Sequence, residues 1–117
     1  MQYDLQERTL SFSKAMIAFL KAEKIHSLNR NIIDQLIRST TSVGANYVEA
    51  NGASSRNDFR NKIFICKKEI QETKYWIKLL AEVISEDRKP QLRDLFKEAH
   101  ELTLIFNKIS GTLNHDS

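Results

Sequence analysis

The stretch RNDFRNKIFICKKEIQETKYWIKLLAEVIS, residues 56–85, decides the fold. Its apolar positions are Phe59, Ile63, Cys66, Ile70, Thr73, Ile77, Leu80 and Ile84, and they advance by alternating steps of four and three. That spacing keeps one narrow face of a helix turned toward neighbouring helices, which is the pattern of knobs-into-holes bundle packing. Neither Gly nor Pro interrupts the run. The spacing therefore predicts one long helix over residues 56–85. Its start is marked by Ser55, with Asp58 three residues on, a capping box in which Asp replaces the usual Glu. Just before it, Asn51-Gly52 reads as a helix stop, because Gly readily takes the left-handed conformation that ends helices.

Moving outward, three more segments repeat the helical period. Residues 31–51 carry Ile32, Ile33, Leu36, Ile37, Val43, Tyr47 and Val48 on one broad face. Residues 4–24 follow Asp4, a plausible N-cap, with Leu5, Phe12, Met16 and Phe19 at helical spacing. Pro90 suits the first turn of a fourth helix, where its missing N–H costs nothing. That helix carries Leu92, Leu95, Phe96, Ala99, Leu102, Phe106, Ile109 and Leu113, and Asn114 to Ser117 should fray. The chain has only three Gly and one Pro. Four amphipathic helices with short connections predict an all-α fold, an up-down-up-down antiparallel four-helix bundle, as a single domain over residues 1–117.

The totals agree. A chain of 117 residues suffices for one domain and buries roughly 65% of its unfolded surface. One cysteine, Cys66, excludes an intramolecular disulfide and fits a reducing compartment. The longest apolar run near the N-terminus covers residues 16–20, far below the ~20 residues of a membrane span. The expected location is cytoplasmic, with no membrane partner. No catalytic constellation is visible: His26, His100 and His115 sit in different segments, and Cys66 lies on an apolar seam, where a core role is the ordinary one. The expectation is a protein that is not an enzyme and uses no metal and no cofactor.

Charge is where the sequence hints at partners. The net charge is +3. Residues 56–78 hold seven Lys/Arg against three acids, whereas residues 82–101 hold four against six. Arg56, Arg60, Lys67, Lys74 and Lys78 share one flank of the third helix, with Phe64, Gln71 and Tyr75 beside it. Such a row can hold phosphates and stack bases, which makes it a candidate surface for RNA or DNA. A solvated charged face, with the aromatics covering apolar surface, is the commoner reading of the same residues. Candidate oligomer contacts fall elsewhere. Ser39, Ser42, Asn46 and Glu49 form a polar stripe on the second helix, next to the small Gly44 and Ala45. That stripe suits a close helix–helix or subunit contact. Ile65, Trp76 and Val83 lie on the other flank of the third helix, and Tyr3, Leu10 and Ile17 fall seven apart on the first. A lone bundle needs one buried stripe per helix, so second stripes favour self-association.

Three segments carry a family resemblance: QLIRSTTSVGANYVEA (residues 35–50), DFRNKI (residues 58–63) and KEIQETKYWIKLL (residues 68–80). The chain resembles the bacterial four-helix-bundle proteins of the 23S rRNA intervening-sequence type. The resemblance implies a four-helix bundle assembled as a ring-like homopentamer, with no established biochemical role and no catalytic residues. A related group, the accessory proteins of diversity-generating retroelements, is more strongly basic and binds nucleic acid and a reverse transcriptase. The modest +3 here departs from that group. The favoured expectation is an oligomeric nucleic-acid-binding protein. The alternative is a structural or adaptor protein that presents helical faces to another protein.

Overall fold

The structure, a computed structural model, describes residues 4–116. It contains α1 (Leu5–Lys21), α2 (Arg30–Asn51), α3 (Arg56–Leu80) and α4 (Lys89–Asp116), with one 3-10 turn at Glu86–Arg88. Each helix packs on its neighbour in sequence, and α4 closes the bundle against α1. The described residues contain no strand, and no helix among them is long and apolar enough to cross a membrane. This is the antiparallel four-helix bundle expected from the apolar seams.

The local starts follow from the sequence. Asp4 caps α1, its carboxylate accepting from Gln6 N–H at 2.9 Å. Ser55 caps α3, its hydroxyl accepting from Asp58 N–H at 3.0 Å. Pro90 lies in the first turn of α4. The seams then meet in one core, where Met16, Leu36, Val43, Ile63, Cys66, Ile70, Leu80, Ala99, Leu102 and Phe106 are fully buried. Tyr47 meets Phe106 edge to face, at 6.0 Å between ring centres.

Several ends differ from expectation. Residues 81–85 are not helical, so α3 stops at Leu80. Glu82 and Val83 N–H instead donate three residues back, to Leu79 and Leu80, in a tightened last turn. The β-branched pair Val83 and Ile84 is a poor helix former, and both side chains pack on the core from the connection. Gly52 has φ −99°, not the left-handed value, and donates to Glu49 O at 3.1 Å. α1 ends at Lys21, three residues early. α4 runs on through Asp116, past the expected fraying point at Asn114; Ser117 lies outside the described residues.

The α1–α2 connection holds a device that the helical pattern did not reveal. Asn29 is fully buried. Its side chain accepts from His26 N–H at 2.8 Å and donates to Lys24 O at 3.1 Å. It closes the loop rather than capping α2, so both of its buried polar atoms are satisfied.

Candidate nucleic-acid interface

α3 has a core face and two charged flanks, and its neighbours treat the flanks differently. The flank toward α2 is neutralised within the chain. Arg38 donates to Glu69 at 3.0 Å and also to Glu72. The Trp76 indole N–H donates to the same Glu72 at 3.0 Å. Lys62 pairs with Glu49 at 2.7 Å. The Trp76 hydrogen bond first, and Arg38 next, hold the Glu72 carboxyl below its ordinary range, while Glu72 and then Glu69 raise Arg38.

The other flank leans on α4 and carries the predicted phosphate contacts. Lys74 donates to His100 Nδ1 at 3.1 Å. Its ammonium lies 5.6 Å from the centre of the Phe96 ring, and that of Lys78 lies 5.7 Å from it. Neither lysine has a carboxylate partner among the described residues, nor do Arg60 and Lys67. Arg60 is half-buried, and its Nε is enclosed without a hydrogen-bond partner in the chain. Arg56, at the start of the row, is exposed and engaged within the chain. Phe64 and Tyr75 are exposed beside the row, at 39% and 58%. Thus α3 brings Arg60, Lys67, Lys74 and Lys78 onto one side with two accessible rings.

Sequence spacing marks Phe96 only as a seam residue, and it does sit at the core edge; it does not point to His100 or Arg93. Which α4 residues face Lys74 depends on how the two helices are set against each other, and no spacing within one helix states that register.

The candidate oligomer residues divide. Ser39 is fully buried, with its hydroxyl 2.9 Å from that of Thr73. Its contact is therefore made between α2 and α3 of one chain and not across a subunit boundary. Asn46 turns back on its own helix, donating to Ser42 O and Oγ at 2.8 and 3.0 Å. Glu49 is exposed and held by Lys62. Trp76 and Val83 are half-buried against the core, so much of their apolar surface is used inside the bundle, and Ile65 is half-buried. Leu10 and Ile17 stand outside it, at 46% and 40% exposure. Tyr3, the third member of that stripe, lies outside the described residues. The two flank a groove with Thr41, Gly44, Ala45 and Val48 of α2. Ile37 and Val48, expected on the buried face of α2, are 41% and 51% exposed on the same side. The side chain nearest Gly44 is Thr9, which a methyl at that position would meet at an ordinary 3.5 Å.

Cys66 is buried, and its Sγ lies 3.4 Å from Val43 O. Burial pushes the thiol up to about 12, which leaves it an inert core side chain. Among the described residues, no cluster of three or more His, Cys, Asp or Glu could hold a metal ion.

Residues 2–108 match the family model described as 23S rRNA-intervening sequence protein. Among solved structures, this chain is similar to a protein with unknown function from the S23 ribosomal protein family of Bacteroides thetaiotaomicron. The identity is 32% and the TM-score 0.76, over 92% of this chain and 98% of that one. No curated protein matches.

Proposed function

Because the chain belongs to the 23S rRNA-intervening sequence protein family, we propose that it acts as an oligomeric, non-enzymatic, cytoplasmic protein that binds RNA or DNA through the α4-side flank of α3. The observation that carries this reading is the uneven neutralisation of α3. Its charges toward α2 are matched within the chain, while Arg60, Lys67, Lys74 and Lys78 have no carboxylate partner among the described residues. An unmatched row of cations beside exposed Phe64 and Tyr75 suits a phosphate backbone and its bases. In a ring-like homopentamer the row would recur once per subunit, so weak contacts would add through multivalency. The exposed Leu10, Ile17, Ile37 and Val48 supply apolar surface for such self-association. The same surface supports the second reading, an adaptor that docks another protein on its helical faces.

Light scattering and oligonucleotide titration test the proposal together. The expected result is a mass near five subunits and binding that weakens steeply with salt. The triple variant Arg60→Glu, Lys67→Glu, Lys74→Glu should lose that binding while keeping its helical spectrum. Undiminished binding in the folded triple variant would overturn the placement. No binding at low salt by the native protein, with a specific protein partner instead, would favour the adaptor.

A further inference from the structure

At the end of the α3 row, where α3 leaves the bundle and α4 enters it, lies a small cavity of about 250 Å³. Ile77, Ala81, Leu92 and Phe96 form its apolar wall, and Lys78, Lys89 and Arg93 complete the lining. Ile77 and Leu92 are anchored in the core at 3% and 2% exposure, so the wall is set by the bundle itself. Lys74, one turn back, brings its ammonium to 5.6 Å from the centre of the same Phe96 ring. Of these four cations only Lys89 has a carboxylate among the described residues. That carboxylate is Glu86 at 2.8 Å, whose own side chain is 89% exposed.

We infer that this cavity takes one unpaired base of a single-stranded nucleic acid, with Lys74, Lys78 and Arg93 holding its phosphates. The inference rests on the nucleic-acid reading above and narrows it from any polyanion to a strand with exposed bases. Three features select that occupant. The ring-bearing wall is apolar, so it rewards a flat π face, and a duplex keeps such faces stacked inside. The volume lies below the range of about 300–1,000 Å³ typical of drug-sized ligand sites, a size for one ring system. The wall offers no amide or hydroxyl side chain to read base edges, so the fit is to a base of any sequence. The two ammonium groups near Phe96 do not compete with the base. A cation over a half-buried ring is held more weakly than one bonded to a phosphate, so both lysines swing outward as the strand arrives. From Arg60 to Lys78 the row covers about 27 Å of helix, which seats the preceding phosphates and delivers the strand to the cavity.

The experiment compares a short single-stranded oligonucleotide with the duplex of the same sequence, by fluorescence anisotropy at low salt, on native protein, Phe96→Leu and Arg93→Gln. Phe96→Leu keeps the wall apolar and removes the ring. The native protein should prefer the single strand. Phe96→Leu should weaken single-strand binding about tenfold, the scale of one stacked base, and leave duplex binding and its salt slope unchanged. Arg93→Gln, a surface change that leaves the fold alone, should weaken single-strand binding and reduce its salt slope. Equal binding of strand and duplex by the native protein, or undiminished strand binding by Phe96→Leu, overturns the base-in-cavity inference while the phosphate-binding row survives. Loss of all binding in the native protein overturns both.

Discussion

On the flank of α3 that meets α2, Arg38 spans Glu69 and Glu72, Trp76 adds a third contact to Glu72, and Lys62 holds Glu49. On the flank that meets α4, two ammonium groups crowd one aromatic ring, and no carboxylate answers them among the described residues. The same helix therefore has two sides whose charges are matched differently. Toward α2 its charges are paired within the chain, and toward α4 Arg60, Lys67, Lys74 and Lys78 have no carboxylate partner among the described residues. Buried or half-buried ion pairs contribute structure only when both partners are present, whereas exposed cations change stability little and long-range attraction greatly. The contrast teaches that the candidate nucleic-acid side of α3 is marked by what is missing from it.

The largest expected effect falls on the face that both flanks share. Ile70 is fully buried, and Ile70→Ala should cost about 2–5 kcal/mol in urea unfolding. A loss under that range would mean that the bundle repacks around the gap and that the flanks are not held by a common core. Next comes the contrast itself. Glu69 is 8% exposed, and Glu69→Ala should cost about 1–3 kcal/mol. The low end is expected, because Arg38 keeps Glu72 and reaches water. Lys78→Ala, on the open flank, should stay within about 0.5 kcal/mol. Equal costs for the two would break the distinction between the flanks.

The smallest effect sharpens it. The indole N–H of Trp76, and after it Arg38, depress the Glu72 carboxyl. A depressed folded value means that the stabilisation is full above the unfolded value and is lost as pH falls through the folded one. The Glu72 side chain is 35% exposed, so solvent screening holds this contribution to about 0.5 kcal/mol or less. Trp76→Phe should raise the Glu72 titration toward the ordinary carboxylate range, as followed by NMR, and flatten the acid limb of stability. An unmoved Glu72 would show that Arg38 alone sets it.

Most of the bundle was legible because each helix announces itself locally. Asp4 and Ser55 cap as their side-chain chemistry dictates, and the four-three seam of α3 is buried from Ile63 to Leu80. Legibility failed where the chain leaves a helix. Val83 and Ile84 keep the apolar period but enter the core from a turn, because burial needs only proximity, not helical backbone. It failed again for Ser39, whose small polar side chain suits an inner or an outer contact equally until Thr73 is seen across from it.

The sequence by itself determined the number of helices, the buried seam of α3, the inertness expected of Cys66 and the row of cations along α3, because all of these depend on spacing within one element. Only the tertiary structure decided which charges are answered. It set Arg38 against Glu69 and Glu72, and Lys74 and Lys78 against Phe96. It also left Leu10, Ile17 and Val48 outside the core. These outcomes depend on the rotation and register of one helix against another, a property of the pair that neither helix encodes alone.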